Sequence, residues 1–300
     1  MRMTALDRRA FIGKLTSGTI LGWIAARGSR PAHGADSDPT PLFRAIGVCT
    51  TPDKAGGVKD AGGQYVEPSV TGFLIPDKPD SAWEKNLLAA KACPLPVAAC
   101  NGFLPGSLKS TGPTIHHEAI LKWADIAFRR AKQIGIDRIV FGSSGSRKLT
   151  DDFPREKAKS QFVDLLRRLG PIAAQHDVVI VIEPLRREED NFINTVLDGA
   201  WFVEQVNHPN IRLLADLYHL LCNGETPDEL RKVAPLLRHM HIAEKDGRTA
   251  PGVHGEDFRP FFNALRGTGY ADRLSIEGKW SIEELPKAFE TIRTQAAGPA

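Results

Sequence analysis

Four separated stretches of this chain each end an apolar run on a residue that cannot sit bare in an apolar interior. Ile211-Arg-Leu-Leu-Ala-Asp216 closes on a carboxylate, with His219 three residues further on. Residues 177–183 close on Glu183, and Pro184 keeps that residue extended where the strand stops. Leu237-Arg-His-Met-His241 places His239 and His241 on one face by period-two alternation, and Arg273-Leu-Ser-Ile-Glu277 is the fourth. An isolated buried carboxylate is very costly, so these residues need partners. Successive ends lie about one strand–helix unit apart, a unit being about 30 residues or more. A parallel α/β barrel with that spacing delivers Glu183, Asp216, His241 and Glu277 to one rim. The set is oxygen-rich with a single nitrogen. It suits a divalent cation, Mn²⁺ foremost, with Mg²⁺, Co²⁺ and Zn²⁺ as further options.

The rest of the chain supplies the remaining units. Strands are expected over 43–50, 64–67, 95–100 and 138–141, ahead of the four above. Helices are expected over 83–93, 118–134, 155–174, 200–206 and 258–266. The helix over 118–134 carries Ile120, Leu121, Ala124, Ala127 and Ala131 on one stripe. Thr226-Pro-Asp-Glu229 and Ser281-Ile-Glu-Glu284 read as capping boxes that open two more helices. Eight such units predict the α/β class and a closed (β/α)₈ TIM barrel, a single domain over 35–300, near the typical length of about 250 residues. An open doubly wound sheet is the alternative, but it would not gather the last four strands round a common mouth.

The N-terminus has a different character. Arg8-Arg9 precede Phe11, a weakly apolar run over 15–26 and small residues at Ala32 and Gly34. This is the layout of a twin-arginine export signal over 1–34, with a periplasmic or otherwise exported mature protein. The apolar run is too short to span a bilayer, which takes about 20 residues. Residues 1–34 hold six Arg and Lys against Asp7, so the chain's net +3 becomes −2 without them, and no polyanion-binding argument survives. The four cysteines (Cys49, Cys93, Cys100, Cys222) form no metal-finger spacing; Cys93 and Cys100 read as a free buried pair rather than a bridge.

These residues resemble the xylose-isomerase-like barrels, in the branch that includes tagatose/psicose 3-epimerases and hydroxypyruvate isomerases. The likeness is densest over 182–195, where Glu183-Pro-Leu-Arg-Arg-Glu-Glu189 and Asn194-Thr195 are similar to the epimerase pattern, with Arg186 in place of its Asn. Asp216-Leu-Tyr-His219 is similar to its Asp-x-x-His. His241-Ile-Ala-Glu244 followed by Arg248 and Pro251-Gly252 is similar to its His-x-x-Glu…Arg…Pro-Gly, with one extra residue before the arginine. The resemblance implies a divalent metal on Glu183, Asp216, His241 and Glu277, with Glu183 and Glu277 also the catalytic acid/base pair. It further implies that His219, Arg248 and Glu189 contact substrate.

The blander readings leave three functions. His239 reads as a hydrogen-bonded residue of the barrel interior, His116 and His117 as solvated, and Glu67 as either pocket wall or rim. The loop 142–148 lacks the spacing of a phosphate loop. The first function is a metal-dependent isomerase or epimerase of an unphosphorylated keto-sugar. The second is a metal-dependent lyase on 3-keto-glycosides. The third, an apurinic-site endonuclease, is rejected: its zinc site needs histidines where strands two and three offer Glu67 and Cys100. A small-molecule sugar is the expected partner, with no nucleic acid and no membrane span; a homo-oligomer stays open.

Overall fold

Residues 41–298 are described by a computed structural model of the chain; the expected signal over 1–34 lies outside them. Among the described residues, seven parallel strands, β1 (Ala45–Val48), β2 (Ala99–Cys100), β3 (Arg138–Phe141), β4 (Val179–Ile182), β5 (Ile211–Asp216), β6 (Leu237–Ile242) and β7 (Arg273–Ile276), pair in the order β1-β7-β6-β5-β4-β3-β2. The expected second strand shrinks to Val66, which bridges Val48 of β1 and Val97 ahead of β2, and thereby closes the ring. Prolines explain the shrinkage. Pro68 and Pro96 flank the contact and donate no N–H, so only a few rungs form, among them Val66 N to Pro96 O at 3.0 Å and Ala98 N to Val66 O at 3.2 Å. The architecture is a TIM barrel with one strand reduced to isolated bridges at Val66 and Ser69.

Among the described residues, ten α-helices fill the connections: α1 (Ala55–Asp60), α2 (Asp80–Lys91), α3 (His117–Ile134), α4 (Ser144–Arg147), α5 (Arg155–Gln175), α6 (Val196–Val206), α7 (Leu217–Asn223), α8 (Pro227–Val233), α9 (Arg259–Leu265) and α10 (Leu285–Ala296). The Thr226 capping box forms as expected and starts α8. The Ser281 box also forms, with Glu284 Oε2 accepting from Ser281 N at 2.8 Å, but α10 begins only at Leu285. The loop 142–148 contains the short helix α4. His117 is buried, its Nε2 bonded to Ser110 O at 2.9 Å, so the expectation that it is solvated is corrected.

Strand periodicity sorts the side chains. Ile180 and Ile182 of β4 join the main apolar core under the helices, whereas Val181 lies with Val140 and Leu214 in a small separate cluster inside the barrel. The next inward positions above Val140, Val181 and Leu214 are Gly142, Glu183 and Asp216. The same parity on β6 and β7 puts His241 above His239 and Glu277 above Ser275. Apolar packing ends one residue pair below the rim, and polar chemistry begins there. No helix among the described residues is long and apolar enough to cross a membrane.

Candidate metal and proton-transfer centre

At the C-terminal rim, ligating atoms of Glu183, Asp216, His241 and Glu277 all lie within 4.8 Å of one another. Asp216 ends β5 and caps α7: its Oδ1 accepts from Tyr218 N at 2.9 Å, while its fully buried Oδ2 has no hydrogen-bond partner. Burial, then the charge of Glu277, pushes Asp216 up to about 8. Glu183 is raised for the same two reasons in the same order. Burial would raise Glu277 too, but His241 and Arg248 outweigh it and hold that carboxyl down at about 2.

His241 decides where a cation fits. Its Nε2 lies 3.1 Å from Glu67 Oε1, and its Nδ1 lies 3.2 Å from Glu183 Oε1 and 3.4 Å from Glu277 Oε2. A carboxylate only accepts, so each ring nitrogen must present a proton or share a cation. The Nδ1 side has three carboxylates, one with a bare buried oxygen. On the Nε2 side Glu67, Cys49 and His241 also converge within 4.8 Å. There, however, Glu67 Oε2 is already occupied, accepting from His239 Nε2 at 2.8 Å and from Ser275 Oγ at 2.5 Å, and a single carboxylate with a thiol is a poorer oxygen set than three carboxylates. The donor set therefore fits a divalent cation on the Nδ1 side, with oxygen ligands and one imidazole suiting a hard or borderline ion.

The three residues expected to meet substrate surround this centre. His219, in the first turn of α7, accepts from Arg186 N at its Nδ1 (3.2 Å), which leaves the proton on Nε2. That Nε2 is buried without a hydrogen-bond partner, 3.4 Å from Asp216 Oδ2. Burial and then Arg248 hold His219 down at about 3, so the ring is neutral. Arg248 reaches the site despite the extra residue in its loop, through a backbone turned to φ 52°. It donates to Glu277 Oε2 at 2.7 Å and stacks on Tyr218 at 4.6 Å. Glu189 sits further out, with its Oε1 2.7 Å from Arg186 Nε and 3.5 Å from Arg248 Nη1.

Several contributors escape the sequence pattern. Asn101 Nδ2 donates to Glu277 Oε1 at 2.8 Å. Arg147 and Asp190 form a fully buried pair at 2.6 Å, and Arg147 also donates to the backbone oxygen of Glu183 at 2.7 Å. Glu67 is buried inside the barrel against His239, His241 and Ser275, which corrects the rim reading and sets it below the pocket rather than at its edge. A signal for it was present: Val66-Glu67-Pro68 repeats the layout of Ile182-Glu183-Pro184.

Residues 57–295 match the family described as xylose isomerase-like TIM barrel. The chain belongs to that family. Within it, the chain is 31% identical over 127 residues to 3-dehydro-D-guloside 4-epimerase of Escherichia coli K12, covering 42% of this chain and 48% of that one. It is 32% identical over 136 residues to L-ribulose 3-epimerase of Methylomonas sp. DH-1, covering 45% and 47%. The matched region thus spans about half the length of these curated relatives. The fold extends further: the apo crystal structure of 3-keto-D-glucoside 4-epimerase from E. coli superposes with a TM-score of 0.71 at 22% identity, over 83% of this chain and 99% of that one. The chain's homologues in this xylose isomerase-like family are sugar epimerases and isomerases.

Proposed function

We propose that this chain is a divalent-metal-dependent epimerase that moves a proton at a carbon beside the ketone of an unphosphorylated keto-sugar. The observation that carries the reading is the pair Glu183 and Glu277. They reach one His241 nitrogen from strands separated by β5 and β6, with unequal proton affinities. A divalent ion held by Glu183, Asp216, His241 and Glu277 would stabilise the negative charge that develops on the substrate oxygen as the proton leaves. Glu277, kept ionised by His241 and Arg248, accepts the proton from carbon. Glu183, on the strand end across the site, returns a proton to the opposite face. His219 Nε2–H and the Arg248 guanidinium orient the substrate oxygens, and Glu189 takes a hydroxyl at the rim. Export through the 1–34 signal favours a free sugar over a sugar phosphate.

A second reading has one observation behind it. The E. coli relative acts, by its name, on a 3-dehydro-glycoside, and this chain carries Arg186 where the epimerase pattern has Asn. A 3-keto-glycoside that loses the proton at C2 can expel its C1 substituent, which is lyase chemistry. Proton NMR of the Mn²⁺-activated, then Mg²⁺-loaded, protein in D₂O with keto-sugars and 3-keto-glycosides separates them. Exchange with inversion and no leaving group supports the epimerase, and aglycone release supports the lyase. Glu183→Gln and Glu277→Gln, each at saturating metal, are expected to lose about 10²–10⁴-fold in turnover. In one direction Glu183→Gln still exchanges the substrate proton without inverting it. Wild-type turnover in both variants would end the two-carboxylate mechanism.

A further inference from the structure

Beneath the rim, a closed set of hydrogen bonds converges on Glu67. Tyr65 Oη lies 2.6 Å from Ser275 Oγ, and Ser275 Oγ donates to Glu67 Oε2 at 2.5 Å. His239 Nε2 donates to the same oxygen at 2.8 Å, and His241 Nε2 faces Oε1 at 3.1 Å. All five residues are buried. Their backbones are also fixed: Glu67 N donates to Val48 O at 2.9 Å, and Thr50 N donates to Glu67 O at 3.0 Å. Gly47 leaves the room this needs, because a Cβ there would meet the Tyr65 ring at 2.6 Å.

We infer that Glu67 is a positioning residue for the proposed metal centre, one that holds the His241 proton on Nε2 and turns an unprotonated Nδ1 toward Glu183, Asp216 and Glu277. The inference rests on the metal-dependent reading of the site. Glu67 can do this because it accepts only, and its other oxygen is already occupied by Ser275 and His239. The remaining oxygen therefore faces His241 alone among strong donors. The other group near Nε2 is Cys49 Sγ at 3.9 Å, too long and too weak an acceptor to compete. A metal-binding imidazole gains its fixed orientation and basicity from the partner of its other nitrogen, and loss of such a partner typically costs about 10–100-fold in metal affinity. The ring cannot turn over without leaving Glu67 with one donor fewer in a site that excludes water, which is the costlier arrangement. Glu67 would thus set which nitrogen binds without touching the ion.

The test uses the full chain labelled with ¹⁵N-histidine and loaded with Zn²⁺, which is diamagnetic. Long-range ¹H–¹⁵N spectra should show His241 protonated on Nε2 and metal-shifted on Nδ1. In parallel, chelator competition should give Glu67→Gln a Kd for Mn²⁺ weaker by about 10–100-fold. A purely structural role for Glu67 would lower the melting temperature and leave the wild-type tautomer unspecified. Wild-type protein with Nδ1–H and Nε2 on the metal overturns the inference, and that measurement stands even if Glu67→Gln does not fold. A folded Glu67→Gln protein that binds Mn²⁺ as tightly as wild type overturns it too, while leaving the metal-dependent reading intact. Wild-type protein that binds neither ion overturns both.

Discussion

The two oxygens of Asp216 have different tasks. Oδ1 caps α7, and Oδ2 is buried with no hydrogen bond and carboxylates on either side. A carboxyl raised from 3.8 to about 8 favours the metal-free fold below its unfolded pKa. That contribution is lost progressively as pH rises toward 8, because the charged form is then buried uncompensated. A divalent ion needs the charged form, so below about pH 8 it must displace a proton. Metal affinity is therefore expected to rise with pH up to about 8 and level off above it, measured by competition titration across pH 6–9. Asp216→Asn should weaken that pH dependence, since Glu183 is also raised, and remove most of the bound metal, as read by elemental analysis after dialysis. The metal-free variant should melt no lower than wild type at pH 8, since the amide still caps Tyr218 N. Wild-type occupancy in Asp216→Asn would take the residue out of the centre.

At the scale of the element, each strand end sets what its neighbours can hold. Gly142 follows β3, and a Cβ there would overlap Glu183 Oε2. Gly142→Ala should displace the Glu183 carboxylate, lowering turnover by 10-fold or more on the order of a single misplaced group, with little change in melting temperature. The loop after β6 is organised by Glu244, whose carboxylate accepts from the backbone N–H of Gly252 at 2.7 Å, His254 at 2.5 Å, Gly255 at 3.0 Å and Glu256 at 3.2 Å. Each lost acceptor strands a donor at a cost of about 1–3 kcal/mol. Glu244→Ala is expected to open this loop to limited proteolysis and raise KM through Arg248, which the loop presents. The four strand ends were legible in the sequence because period-two alternation and Glu-Pro junctions are local signals. The second strand was misjudged in length, since flanking prolines limit its pairing, a property of the ladder rather than of the residues between. The buried His117 and the Arg147–Asp190 pair were missed because each depends on partners some 7 to 43 residues away that no local pattern marks.

For the whole molecule, the two ends of the barrel are built on opposite electrostatic plans. At the N-terminal end, charges are matched: Arg44 meets Asp272 at 2.8 Å, Arg138 meets Asp272 at 3.0 Å, and Arg273 pairs with Asp137. At the C-terminal end, Glu183, Asp216 and Glu277 crowd one imidazole and one guanidinium. Conserving that arrangement in the fold costs stability that a cation would return, because anything bound only by the folded state stabilises it by mass action. At 100-fold excess over Kd the gain is about 2.7 kcal/mol. For a domain of this size, 1 kcal/mol moves the melting temperature by roughly 2–4 °C. Saturating Mn²⁺ is therefore expected to raise the melting temperature by roughly 5–10 °C over protein stripped with EDTA, by differential scanning calorimetry. Asp216→Asn should abolish the increment. Arg138→Ala, at the far end, should lower both melting temperatures together and leave the increment unchanged, because the two ends share strands but no charges. An increment that survives Asp216→Asn would place the stabilising ion elsewhere on the molecule.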